Sequence, residues 1–168
     1  MGKYYQYYVE GQDEEKIVQI LKTELQLIEP GKVEKFNVVS EKFTKLRIMP
    51  LKMGTIVVLV FDTDVGNIDI LKKNIKFLNE QKTIKKVLCI TQVKNLEDEL
   101  KRSCNIKEIK ELTGSKSNSD FKHYLRKEKQ FGNKMMKKGF DMEKFWIKTD
   151  NHIYKEIPNQ AAEIKLHK

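Results

Sequence analysis

Three carboxylates stand where the pattern of apolar residues breaks off. Glu10-Gly11 closes the aromatic run Tyr4–Val9, and Asp62-Thr63-Asp64 closes the continuous apolar run Thr55–Phe61. Residues i and i+2 of an extended chain point to the same side, so Asp62 and Asp64 can face one ion. Two carboxylates held that closely repel each other unless a cation lies between them. Mg2+ (or Mn2+) is the natural candidate, a hard ion that takes oxygen ligands and keeps waters or substrate phosphates in its shell. If the two runs are neighbouring strands, Glu10 joins the pair as a ligand or as a general acid/base. Each residue also has a plainer role: Glu10 as an exposed polar residue, Asp64 as a cap bonding amides near Gly66-Asn67.

The elements that must position these acids follow from periodicity. Tyr4–Val9 is β-prone and reads as a first strand. Ile17, Val18, Ile20, Leu21, Leu25 and Ile28 keep a helical period from Gln12 or Asp13 until Pro30-Gly31. Val33–Val39 reads as a second strand, and residues 40–54 are ambiguous. Thr55–Phe61 is β-branched and unpunctuated, as in a strand buried on both faces. Ile68–Leu78 returns to helical spacing, Lys86–Thr91 is a further apolar strand, and Leu96–Cys104 reads as a helix. Thr113–Asp120 is a polar loop and Phe121–Lys129 a basic helix, with Phe140–Ile147 apolar enough to pack back onto the body. Buried strands alternating with amphipathic helices predict an α/β fold with a mostly parallel sheet covered on both faces. In such sheets chemistry gathers beyond the carboxyl ends of the strands.

Composition bounds the function. The 168 residues are 39% hydrophobic and 34% charged, which suits one globular domain. The longest apolar run, Ile56–Phe61, is far short of the roughly 18 residues of a membrane span. No apolar signal segment follows Met-Gly-Lys-Tyr-Tyr-Gln, and Cys89 and Cys104 form no metal or disulfide framework, so the expected setting is cytoplasmic. The net charge is +9, and the last 48 residues hold 12 Lys+Arg against 6 Asp+Glu. That basic end suits a phosphate-rich partner, with Lys122, Arg126 and Lys127 as phosphate contacts, although a solvated lysine-rich surface would look the same. His123, His152 and His167 accompany no nucleophile elbow, and neither a Walker A nor a GxGxxG loop is present.

Tyr8-Val9-Glu10-Gly11 followed by a helix, then Leu59-Val60-Phe61-Asp62-Thr63-Asp64, resembles a Toprim domain over roughly residues 4–105. This is the catalytic domain shared by topoisomerases, bacterial primases, small 5S rRNA maturation nucleases and the overcoming-lysogenization-defect (OLD) nucleases. The resemblance implies Glu10 as the catalytic Glu and Asp62 and Asp64 as Mg2+ ligands. It also implies a second acidic cluster past a later strand, for which Glu97, Asp98 and Glu99 are the candidates, Glu97 foremost. The first turn of a helix explains the same three residues. Gly114–Lys122 resembles the Ser/Lys segment of OLD-type domains, where Lys116 would neutralise phosphate charge. Topoisomerases and primases tend to carry further charged or glycine residues after the DxD. Here it is followed by Val65-Gly66-Asn67, and the chain has no cleavage-tyrosine or polymerase-type lobe, so the small nuclease branch fits best.

The expectations are therefore specific. Residues 1–112 form a Toprim-like, Rossmann-like three-layer domain, and residues 113–168 a basic helical C-terminal segment packed on it. The activity is Mg2+-dependent phosphodiester chemistry on DNA or RNA, of nuclease type, with an ATPase as a conceivable partner and phage defence as a family analogy. The alternative is a non-catalytic nucleic-acid-binding or protein-assembly module. A DxD phosphatase is a weaker reading, because Gly66 stands where such enzymes place a Thr.

Overall fold

The strand Thr55–Asp62 (β3) is buried at all eight positions. It runs parallel to Tyr4–Val9 (β1) on one side and to Ile84–Gln92 (β4) on the other. The short strand Lys32–Lys35 (β2) pairs with the free side of β1, so the sheet is all parallel with order β2-β1-β3-β4. These relationships come from a computed structural model that describes residues 3–150 and 152–166; Met1, Gly2, Asn151, His167 and Lys168 lie outside the described residues.

Strand alternation divides the apolar residues between two cores. Tyr5, Tyr7, Val9, Val58, Val60 and Ile90 pack into one, and Tyr8, Val57, Leu59, Phe61 and Cys89 into the other. Each fully buried side chain of this size stabilises the fold by about 1.5–3 kcal/mol. The first core is covered by Gln12–Gln19 (α1), Leu96–Ser103 (α4), Phe121–Lys127 (α6) and Phe131–Lys137 (α7). The short Lys110–Thr113 (α5) precedes α6, and Leu112 joins the same core. The second core is covered by Lys45–Ile48 (α2) and Asp69–Asn79 (α3), with Phe36, Phe43 and Tyr154. Sheet and two covering layers make a doubly wound, Rossmann-like three-layer fold.

The expected strands and helices appear with shifted ends. The first helix does not reach Ile28 as α-helix. It widens into a π-turn over Ile20–Glu24, where the Leu25 N–H donates to the Ile20 carbonyl at 2.9 Å. The second strand stops at Lys35 rather than Val39, because the next residues are needed under the sheet. There Asn74, 2% exposed, donates to the Val38 and Glu41 carbonyls and accepts the Phe43 N–H, fixing the turn that buries Phe36, Val38 and Phe43. The ambiguous stretch 40–54 holds α2. Beyond α7, Phe140, Phe145 and Trp146 pack into the first core, as their apolar run implies.

β1 connects outward through α1 to β2, whereas the later strands lie on its other side. The chain therefore changes winding direction between β1 and β3, the switch point at which sheets of this kind open a crevice beyond the carboxyl ends of their strands.

Candidate active site

That crevice is where Glu10 and Asp62 meet. Val9 pairs with Val60, which brings the two strand ends level. The Asp62 backbone N–H donates to Glu10 Oε1 at 3.1 Å. Asp62 Oδ1 accepts from Gln92 Nε2 at 2.7 Å, from the end of β4. The second oxygen of each carboxylate takes no hydrogen bond from any described residue. Asp64, two residues on, is exposed. It does not cap the following turn: Asn67 does, its Oδ1 accepting the Asp69 N–H at 2.8 Å. Asp64 is left to act on its neighbours by charge.

Burial raises both inner carboxyls, and the charges of neighbouring acids add to it. Glu10 is pushed up to about 7, chiefly by burial and further by Glu14 and Asp64, against the lowering hydrogen bond from Asp62. Asp62 is pushed up to about 8, chiefly by burial and then by the Glu10 charge, with Glu14 and Asp64 adding to it. Carboxyls this hard to ionise together form a site of negative potential that a cation relieves. A carboxyl near 7 is also matched to moving protons at neutral pH.

The same edge carries acids that sequence reasoning passed over. Gly11 lets the Glu14 carboxylate lie against the backbone: a Cβ at Gly11 would stand 3.3 Å from Glu14 Oε2. Glu14 is itself raised by burial and by Asp13 and Glu97. Asp13 is buried and accepts from Arg126 Nε at 2.9 Å, while Lys122 Nζ stands 3.9 Å from both Asp13 and Glu97. Lys122 and Arg126, expected as phosphate contacts, thus reach the border of the acidic crevice. Arg126 is tied there to Asp13, and both cations remain well exposed. Their i, i+4 spacing on α6 is a signal that was legible; the partner Asp13 was not.

Glu97, Asp98 and Glu99 have different surroundings. All three lie in the first turn of α4, which Asn95 caps by accepting the Asp98 N–H at 2.9 Å. Glu99 is fully buried and faces inward, accepting from Val93 N at 3.0 Å and Trp146 N at 3.1 Å and pairing with Arg102 at 2.9 Å. Asp98 pairs with Lys101 at 3.3 Å. Glu97 alone faces the acidic edge, where its charge acts on Glu14. Lys116 is exposed in the loop between α5 and α6, and Lys127 is exposed on α6.

Three supporting residues had no sequence signature. Gln92 is 1% exposed, and the Trp146 indole N–H donates to its Oε1 at 3.2 Å. An indole can only donate, so Gln92 must turn its NH2 toward Asp62. Tyr154 stacks on Phe61 with ring centroids 6.1 Å apart, and its hydroxyl donates to the Val65 carbonyl at 3.0 Å. It thereby steadies the loop that carries Asp64.

Among the described residues, no three His, Cys, Asp or Glu side chains stand as a set able to hold a metal ion by themselves. The donor chemistry still fits Mg2+, which is commonly held by one or two carboxylates with waters and substrate phosphates completing its shell. Asp62 and Glu10 are the residues that would hold it, with Asp64 beside them. Among the described residues no helix is long and apolar enough to cross a membrane. No family model, curated protein or solved structure matches the chain.

Proposed function

We propose that the protein carries out Mg2+-dependent phosphodiester chemistry on nucleic acid, of nuclease type. The observation that carries this reading is the convergence of Glu10 and Asp62 at the switch point of a parallel sheet, with Asp64 beside them. The Glu-Gly and DxD motifs ending neighbouring strands, as in the Toprim resemblance, support it. The bound cation would supply charge neutralisation at the phosphodiester. Glu10 would either help Asp62 hold the cation or, unbound to it, take a proton from the attacking water and return one to the leaving oxygen. Asp62, oriented by Gln92, and Asp64 keep the negative potential that draws the cation. Lys122 and Arg126 meet the flanking phosphates, exchanging carboxylate partners for phosphate ones, and Lys116 and Lys127, both exposed, are further candidates for phosphate contact. Cys89 and Cys104 are both unpaired and buried, in keeping with a reducing, cytoplasmic setting. Participation of a partner ATPase is left to the same assay, run with and without cell extract.

The test is cleavage of end-labelled single- and double-stranded DNA and RNA with Mg2+, Mn2+ or EDTA. Metal-dependent products that disappear in Glu10→Gln support the reading. Binding without cleavage, indifferent to metal, favours the non-catalytic module.

A further inference from the structure

At the other end of the sheet, where β1, β2 and β3 begin, a groove of about 580 Å³ opens between Pro30–Glu34 and Arg47–Lys52. β1 lines the groove as far as Gln6, so roughly 13 Å of strand separates the groove from Glu10. Its size suits a small organic ligand. Val33, Pro50 and Leu51 supply apolar walls, and the Tyr4 ring, 46% exposed, stands at its mouth. Within it lies Gln6, 6% exposed. Its NH2 makes only a long 3.4 Å bond to the Tyr7 carbonyl, and its amide oxygen accepts from no described residue. The amide oxygen is not sealed in the core, so it is open to a ligand's donor from the groove that Gln6 lines.

The charges around the groove are lopsided. Lys3, Lys32, Arg47 and Lys52 line it against Glu34 alone, and Glu34 is already paired with Arg47. Arg47 also lies over the Phe36 ring, so its fork is committed. The Lys52 ammonium stands over the Tyr4 ring, 4.8 Å from its centroid. What remains are lysine ammoniums, point charges better suited to phosphate than to bidentate grasp of a carboxylate. A groove with apolar walls, one amide able to pair with a donor–acceptor edge, and lysines at its mouth together match a base joined to a phosphate.

We infer that this groove is a nucleotide-binding site that takes a nucleoside monophosphate, its base against Gln6 and its phosphate among Lys3, Lys32 and Lys52. The inference does not depend on the acidic site. The test is a series of amide NMR titrations of the full chain in EDTA, which keeps metal–nucleotide complexes out of the Glu10 crevice. The probes are the four ribonucleoside monophosphates, a nucleoside, ribose 5-phosphate, inorganic phosphate and a 5′-phosphorylated trinucleotide. The expected result is saturable shifts at Tyr4, Gln6, Lys32 and Lys52 with at least one monophosphate. Binding weakens about tenfold or more for the nucleoside and in Lys32→Glu/Lys52→Glu. Both lysines are exposed, so this variant keeps the fold; Gln6→Leu should lower base preference in turn. The trinucleotide separates sources: tighter binding at the same amides means that the nucleotide is read at a strand end, weaker binding that it is read free. Absence of saturable shifts up to about 10 mM, shifts centred on Glu10 and Asp62, or inorganic phosphate matching every nucleotide would each overturn the inference.

Discussion

The backbone N–H of Asp62 donates to the side chain of Glu10 at 3.1 Å, which ties the first and third strands together at the point where the sheet changes winding direction. One acid therefore steadies the other's backbone while their charges oppose each other. The price of ionising both is visible in their raised pKa values, and it falls on the fold whenever no cation is bound.

Stability of the metal-free protein should decrease as pH rises. Both carboxyls are raised from ordinary values of 4.5 and 3.8 to about 7 and about 8. The folded state holds its protons longer than the unfolded chain. This contribution is complete below about pH 4 and is lost as pH rises through about 7 and 8. Glu10→Gln and Asp62→Asn keep an oxygen acceptor but cannot ionise. Each should stabilise the EDTA-treated protein at about pH 8 by on the order of 1–3 kcal/mol, and by almost nothing near pH 4. Denaturant melts at the two pH values check this; equal effects at both would refute it.

Gln92 and Trp146 should act on the site through Asp62. Trp146→Phe removes the donor that fixes the Gln92 amide and should cost about 1–3 kcal/mol in stability. Gln92→Leu should reduce metal-supported activity about 10–100-fold, the usual range for residues that orient a ligand. Gln92→Glu adds a carboxylate beside Asp62 and should be worse than Leu at high pH. Steady-state rates with Mg2+ concentration varied would expose the effect as weakened metal dependence, and rates unchanged in all three variants would contradict it.

Glu97 and Glu99 should separate cleanly, although they are two residues apart. Glu99→Ala leaves Arg102 and two backbone amides without their buried partner, so it should destabilise by about 3–5 kcal/mol. Glu97→Ala is at the surface of the acidic edge and should leave stability within about 0.5 kcal/mol of wild type. Thermal unfolding decides, and a Glu97 variant as unstable as the Glu99 one would mean that their surroundings were misassigned.

Lys122→Ala and Arg126→Ala should weaken nucleic-acid binding without sequence preference. Each lost phosphate contact should lower the slope of log affinity against log salt by roughly 1. Arg126→Ala should also cost about 1 kcal/mol in stability, since it leaves buried Asp13 facing only Lys122. Fluorescence anisotropy across a salt series reads the slope; an unchanged slope would remove α6 from the interface.

Most of this architecture was legible because its signals are local. The unbroken apolar run of β3, the helical spacing of α1 and α3, and the strand-end positions of Glu10 and Asp62 are all short-range patterns. That β1 and β3 are neighbours was an expectation the pairing bears out. The misses are tertiary. Asn74 ends β2 early by gripping a loop 31 to 36 residues away. Gln92, Trp146 and Tyr154 are ordinary core residues until the sheet brings them beside the acids. Glu97-Asp98-Glu99 read as one acidic cluster, but the turn of α4 sends Glu99 into the core and Glu97 to the crevice. Lys122 and Arg126, which looked free on α6, turn out to face Asp13, and Lys122 also Glu97, which no local pattern announces.

The central claim is that Glu10, Asp62 and Asp64 share a divalent cation with a nucleic-acid phosphate. The most direct measurement is calorimetric titration of Mn2+ into the wild type and into Asp62→Asn/Asp64→Asn, each with and without a saturating single-stranded oligonucleotide. The account predicts saturable binding by the wild type that tightens with the oligonucleotide and disappears in the double variant. Equal binding by both proteins under both conditions would contradict it.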